Sequence, residues 1–378
     1  VLLSFTPDAS SFQKTFGERK VALVHYWLVG MRGGEKVLEA LCELFPEADI
    51  FTLVADPEKL SPTILKHKIT TTFLQKIGGK RHYQKLLPLM PFALESLDLT
   101  AYDLVISSEA GPAKGVITRP DSVHICYCHS PMRYIWDLYP QYRESAGLLT
   151  RLMMSLSAPV LRQWDVTTSN RVDHFVANSR YVAQRIKKFY RRDAVVINPP
   201  VDLARFVRSP RTDDVYLCAG QITPYKKIEL AIDAFNRMGK RLDIVGGGAT
   251  AKMKAQAGPT VRFLGTLGDT ELAERFAQCK ALIFPGVEDF GIIPLEVMAS
   301  GRPVIAFARG GAVETVLDGK TGLLFAEQTA ESLMDAVARF EAGAVCGTES
   351  DFDKHVAAFS KQRFKNQMID FMTSVLEA

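Results

Sequence analysis

Two glutamates eight residues apart, Glu288 and Glu296, bracket the run Asp289-Phe290-Gly291-Ile292-Ile293-Pro294-Leu295. A strand is expected to end at Phe284, a loop then carries Glu288, and Gly291 stands just before a helix that Pro294 suits. Such a strand-loop-helix turn offers free backbone N–H groups and the positive end of a helix dipole to an anion, most often a phosphate. A carboxylate that accepts two hydroxyls is the ordinary way to hold a ribose or a sugar ring. A second segment, Gly220-Gln221-Ile222-Thr223-Pro224-Tyr225-Lys226-Lys227, follows an expected strand and puts two lysines where a diphosphate could use them. A third, Gly30-Met31-Arg32-Gly33-Gly34-Glu35, lies between the first strand and first helix, and its glycines permit positive φ and close approach to a ligand. A fourth, Cys128-His129-Ser130-Pro131-Met132-Arg133-Tyr134, places a histidine at a strand's carboxyl end. There it could bond a hydroxyl or move a proton.

These residues need a scaffold that brings loops together. Short apolar runs alternate with helical patterns through most of the chain. Strands are expected at 21–26, 50–54, 103–107, 122–127, 174–178 and 195–197, then at 215–219, 242–245, 261–264, 281–284, 304–306 and 323–325. Helices are expected between them, among them 34–44, 228–238, 270–278 and 294–299. That alternation predicts parallel sheets of βαβ units. The pattern runs twice, with a break at Asn198-Pro199-Pro200, which neither a helix nor a central strand tolerates. The expected fold is therefore α/β, with two facing doubly wound domains and a cleft between them. The first would hold residues 1–198 and take back a terminal helix of about 359–378; the second would hold 199–358.

Composition narrows the classes. The chain has 378 residues, 47% hydrophobic and 23% charged, which excludes a disordered or fibrous protein. A net charge of +4 is too balanced for a protein that coats nucleic acid. The six cysteines have no CxxC spacing, so they read as small buried hydrophobes in a reducing compartment. Val1–Lys20 lacks the pattern of a secretory signal and reads as an irregular arm. Asp351-Phe352-Asp353 reads as a helix start and not as a metal motif.

Together the four segments resemble the family 4 retaining glycosyltransferases, which have the two-domain GT-B fold. The resemblance runs from about Val21 to Phe364 and is carried most by Glu288 to Glu296 and the following Met298-Ala299-Ser300-Gly301-Arg302-Pro303. Gly310-Gly311-Ala312, Gly319-Lys320-Thr321-Gly322 and Ala177-Asn178-Ser179 fit it too. The resemblance implies that Glu296 holds the donor ribose, that Glu288 with the backbone of Phe290, Gly291 and Ile292 holds the donor sugar, and that Ile293 also belongs to the donor site. Lys226, with Lys227, would neutralise the diphosphate, Gly33 and Gly34 would approach it from the other domain, and the base would lie against Leu264 and Leu267. His129 would sit near the reacting sugar, so His129, Lys226 and Glu288 are the catalytic candidates. Gln221 stands where the family commonly has arginine. The segment His129 to Asp137 resembles GDP-mannose-dependent mannosyltransferases of bacterial exopolysaccharide and O-antigen assembly. That implies mannose transfer from GDP-mannose to a polyprenyl-diphosphate-linked saccharide, with no cofactor or metal required.

Seven Lys and Arg residues and no acids lie between Glu58 and Glu95. Lys66, Lys68, Lys76, Lys80, Arg81 and Lys85 interleave with Phe73 and other apolar residues, which suits an anionic bilayer surface. A second cluster, Arg185, Lys187, Lys188, Arg191 and Arg192, is similar. The expectation is a cytoplasmic protein peripheral on the inner face of the membrane, and no nucleic-acid partner. The competing readings are a UDP-sugar donor, an NAD(P)-dependent oxidoreductase suggested by Gly246-Gly247-Gly248-Ala249-Thr250-Ala251, and a sugar-binding module without catalysis.

Overall fold

The computed structural model describes residues 15–377, so most of the arm expected over Val1–Lys20 lies outside the described residues. The chain divides into two compact units. One ends at Pro200 and regains the chain from Lys361; the other is Val201–Ser360.

The first unit is built on a seven-stranded, all-parallel sheet. Its strands are β1 (Val21–His25), β2 (Asp49–Thr52), β3 (Ile69–Thr71), β4 (Leu104–Glu109), β5 (Val123–Cys128), β6 (His174–Ala177) and β7 (Ala194–Val196), in the order β3-β2-β1-β4-β5-β6-β7. Central strands covered on both faces need mostly apolar side chains; β1 and β4 are buried along their whole length, with the polar His25, Ser107, Ser108 and Glu109 confined to their carboxyl ends. The edge strand β3 was not expected. Its Ile-Thr-Thr is half-buried and too short and polar to stand out as an apolar run. The terminal helix Lys361–Leu376 belongs to this unit. Phe364, Met368 and Met372 recur every four residues and sink into the core with Leu23, Leu38 and Tyr127. Lys361 (2.9 Å) and Lys365 both pair with Glu43.

The second unit has a six-stranded parallel sheet. Its strands are β8 (Tyr216–Ala219), β9 (Leu242–Val245), β10 (Val261–Gly265), β11 (Leu282–Phe284), β12 (Val304–Phe307) and β13 (Gly322–Phe325), in the order β10-β9-β8-β11-β12-β13. The two doubly wound sheets are those the sequence pattern predicts. Thr348 caps the helix Glu349–Ala357, so Asp351 and Asp353 fall in its first turns; Asp351 bonds back to Thr348 and Asp353 pairs with Arg208 at 2.7 Å. Five cysteines are buried as expected; Cys346 is exposed, because it follows the surface turn at Gly343.

The Phe364 ring lies edge-on to Tyr127 at 5.7 Å and is 1% exposed. Phe364→Ala is expected to cost about 3–5 kcal/mol, read as a lower urea midpoint. An unchanged midpoint would show that the terminal helix contributes nothing to the first unit's core.

Candidate functional site

In the second unit β8 is where the strand order reverses: β9 and β10 lie to one side, β11, β12 and β13 to the other. Loops leaving the carboxyl ends on either side of such a point diverge and open a crevice. The loop after β8 carries Gln221, Lys226 and Lys227; the loop after β11 carries Glu288 and Phe290. Lys226 Nζ lies 2.9 Å from Glu288 Oε1, with the side chains only 11% and 19% exposed. Two glycines permit this approach. A Cβ on Gly220 would stand 2.6 Å from Lys226 Nζ, and one on Gly286 would stand 2.6 Å from Lys226 Cα. Lys227 holds φ +52°, a conformation that costs a non-glycine residue about 1–2 kcal/mol, and it leads directly into the helix Ile228–Met238.

The Glu288 loop is clasped from its other side. Gly311 N–H donates to the Glu288 carbonyl at 2.8 Å, and a Cβ on Gly311 would stand 2.1 Å from the Phe290 carbonyl oxygen. The Phe290 side chain is buried, so its role here is to fix the loop. Gly291, at φ +89°, turns the chain into the helix Ile292–Ala299. The first amides of that helix have no intrahelical acceptor and are available to an anion. One and a half turns on, Glu296 is half-buried. Burial pushes its carboxyl up from 4.5 to about 7; Arg205 opposes this, while Asp269 and Asp202 add to it. Leu264 and Leu267 are half-buried beside Ile292 and Ile293 in one apolar cluster.

The glycine run 246–248 has a different task from the one a dinucleotide fingerprint would give it. Gly246 and Gly248 hold φ +136° and +100° because the β8 loop presses on them. A Cβ on either would collide with the carbonyl oxygen of Gly220 (2.0 Å) or Ile222 (2.6 Å). Ile222 N–H donates to the Gly247 carbonyl at 2.8 Å, and the Gln221 amide lies against Gly247 and Gly248. The run therefore shapes the Gln221 loop.

The first unit has its own switch point, between β1 and β4. His25 ends β1, Ser108 lies near the end of β4, and His129 follows β5. Ser108 Oγ is 3.1 Å from His25 Nδ1 and 2.9 Å from His129 Nε2. Burial, helped by His129, holds the His25 imidazole well below its ordinary range, so it is neutral. Among the sequence candidates only His129 belongs to this chain of three; His25 and Ser108 carry no motif of their own. Gly33 and Gly34 do not use positive φ; they start the helix Gly33–Leu44. Gly34 is needed instead because a Cβ there would stand 2.6 Å from Tyr26 Oη.

The segment after His129 is held from within. Asn178 Nδ2 donates to the His129 carbonyl at 3.0 Å. Arg185 is buried and donates to Ser130 Oγ (2.6 Å) and Asp137 (2.5 Å). This corrects its reading as a surface cation: its position on the helix Arg180–Tyr190 faces the 130–137 segment. Tyr190 Oη (2.9 Å) and Trp136 Nε1 (2.7 Å) donate to Asp165, which also pairs with the fully buried Lys114. Burial alone works against a charged Lys114, but Asp165 and Glu109 outweigh it and raise its pKa. Of the proposed membrane residues, Lys66, Lys68, Phe73, Lys76, Arg81 and Lys85 are exposed; Lys80 is exposed but ion-paired with Asp56 at 2.7 Å.

Residues 31–205 match the model described as Glycosyltransferase Family 4, and residues 202–356 match Glycosyl transferases group 1. Together these two glycosyltransferase models span residues 31–356 of the chain. A D-inositol 3-phosphate glycosyltransferase of Actinosynnema mirum is 29% identical over 202 residues, 44% of this chain and 48% of that protein. A GDP-mannose-dependent alpha-(1-6)-phosphatidylinositol monomannoside mannosyltransferase of Mycolicibacterium smegmatis is 29% identical over 212 residues, 47% of this chain and 56% of that protein. The chain spans about half the length of the first curated relatives it matches. The crystal structure of Anabaena HepE with UDP and glucose superposes with a TM-score of 0.67 at 16% identity, over 94% of this chain and 100% of that one. The fold is GT-B.

Two predictions follow from the geometry. A hydroxyl carries one proton, so Ser108 can donate to at most one of the two imidazoles, and at least one ring nitrogen must donate to it. Nitrogen-15 spectra should show at least one of His25 Nδ1 and His129 Nε2 protonated; both unprotonated would contradict the chain. In the second unit, ribose hydroxyls would donate to ionised Glu296. Its folded-state pKa near 7 then makes nucleoside-diphosphate binding weaken about tenfold per pH unit below 7. Glu296→Gln should lose that component of the pH dependence, and an identical profile in both proteins would remove Glu296 from the ribose site.

Proposed function

We propose that this protein is a retaining hexosyltransferase that takes a nucleotide-sugar on its second unit and transfers mannose from GDP-mannose to a lipid-linked saccharide. The observation that carries the reading is the Lys226–Glu288 pair at the switch point, beside the amide-bearing start of the helix Ile292–Ala299. In the reaction the anomeric carbon–oxygen bond to the diphosphate breaks and its electron pair stays on the diphosphate. A bond forms to an acceptor hydroxyl oxygen, whose proton passes to the departing diphosphate. The hard event is charge separation, and Lys226 with the helix amides meets the leaving charge without rearranging. Glu288 would take the sugar hydroxyls, Glu296 the ribose, and His129, set by Ser108 and His25, would serve the reacting sugar. The family resemblance and the Mycolicibacterium relative support GDP-mannose. The Anabaena structure, which holds UDP and glucose, supports a UDP-sugar as the second reading. A lipid-linked acceptor and an anionic inner-leaflet surface are supported by the exposed cations from Lys66 to Lys85.

Nucleotide release measured over a donor panel tests this directly. GDP-mannose should turn over fastest, and Lys226→Ala and Glu296→Ala should each lower turnover about a hundredfold while the fold survives. Turnover with UDP-glucose alone would replace the donor; full activity in both variants would overturn the site. Gln221→Arg is expected to strengthen nucleoside-diphosphate inhibition about tenfold, as a charge-assisted bond replaces a neutral one. Unchanged inhibition would place the Gln221 side chain away from the diphosphate.

A further inference from the structure

The helix Leu148–Ser169 wears its apolar residues on the wrong side for a soluble protein. Leu148, Leu149, Leu152, Met153, Leu156 and Val160 are 83%, 73%, 57%, 48%, 70% and 66% exposed. At about 100° per residue these six fall within an arc of roughly 140°. The residues this helix buries, among them Ala158, Leu161, Asp165 and Thr168, lie on the opposite arc. An exposed apolar face opposite the one that packs on the domain points to a partner other than the domain's own core. The stripe is about 18 Å long at 1.5 Å per residue, and no helix among the described residues is long and apolar enough to cross a membrane.

We infer that this stripe lies in the plane of an anionic bilayer and is the inserting element of the first unit. Charge selects the occupant. Residues 145–164 contain Arg151 and Arg162 and no acid. Both arginines sit at one margin of the stripe, joined there by Arg143, which bonds Ser155 at 3.1 Å. The same helix meets the cationic segment through its packed side: Leu87 and Trp164 pack against the cluster that holds Leu161, and Trp164 Nε1 donates to Glu95 at 3.0 Å. That segment exposes Phe73, Ile77, Leu89 and Phe92 beside its lysines. A second copy of the chain would bring a surface of the same charge, whereas acidic headgroups complement it. This inference rests on the membrane reading above for its occupant and adds the residues that insert.

The test is co-sedimentation of the full chain with phosphatidylcholine vesicles, with and without about 30% phosphatidylglycerol. Two variants are compared: Leu149→Asn/Leu152→Asn/Leu156→Asn, and Lys76→Ala/Arg81→Ala/Lys85→Ala. All six side chains are exposed, so both should melt with the parent. The parent should bind the anionic vesicles at least tenfold more strongly than the neutral ones. The helix variant should lose at least tenfold at every salt concentration, and the cationic variant should lose most at low salt. Parent-like binding by the helix variant would overturn the insertion and leave the membrane reading standing. No binding by the parent would overturn both. A vesicle-independent dimer that the helix variant dissociates would assign the stripe to a second copy instead.

Discussion

The ion pair between Lys226 and Glu288 fixes the geometry on which the second unit's chemistry depends. It ties the loop after β8 to the loop after β11, the two loops that leave the sheet in opposite directions. Neither loop could come so near with a side chain at Gly220 or Gly286. Glycines 246, 248, 310 and 311 then hold the pair from outside, each taking a backbone carbonyl where a Cβ would stand. The glycine-rich character of this half of the chain thus follows from close loop packing. A cation held this way needs little reorganisation to meet a developing negative charge, which is the condition for electrostatic catalysis.

The first unit solves a related problem with a buried polar chain. His25, Ser108 and His129 come from three neighbouring strands, and Ser108 links the two imidazoles. Below them Arg185, Asp165 and Lys114 anchor the 130–137 segment, with Met132 and Ile135 fully packed. Much of the segment that suggests a mannose donor therefore serves to position His129. Its resemblance carries information about that scaffold as well as about the sugar.

The strands were legible because central parallel strands are mostly apolar runs, and the switch-point loops were legible because glycine, proline and charge punctuate them. The edge strand β3 was not, since half-burial leaves Thr70 and Thr71 unremarkable. His25 and Ser108 escaped notice because 83 residues separate them and only the β1–β4 register brings them together. Arg185 looked like a surface cation among Lys187 and Lys188, because helical position and not composition decides which way a charge faces. The stripe from Leu148 to Val160 was invisible for the converse reason: apolar residues at helical spacing read as core, and only the packed domain shows that the core lies on the other side.

Amide hydrogen exchange of the full chain, with and without saturating GDP, tests most directly whether the second unit's switch point holds a nucleotide. Slowed exchange confined to residues 220–227 and 285–296, and lost in Lys226→Ala, is the predicted result. Protection elsewhere with these segments unchanged would contradict it.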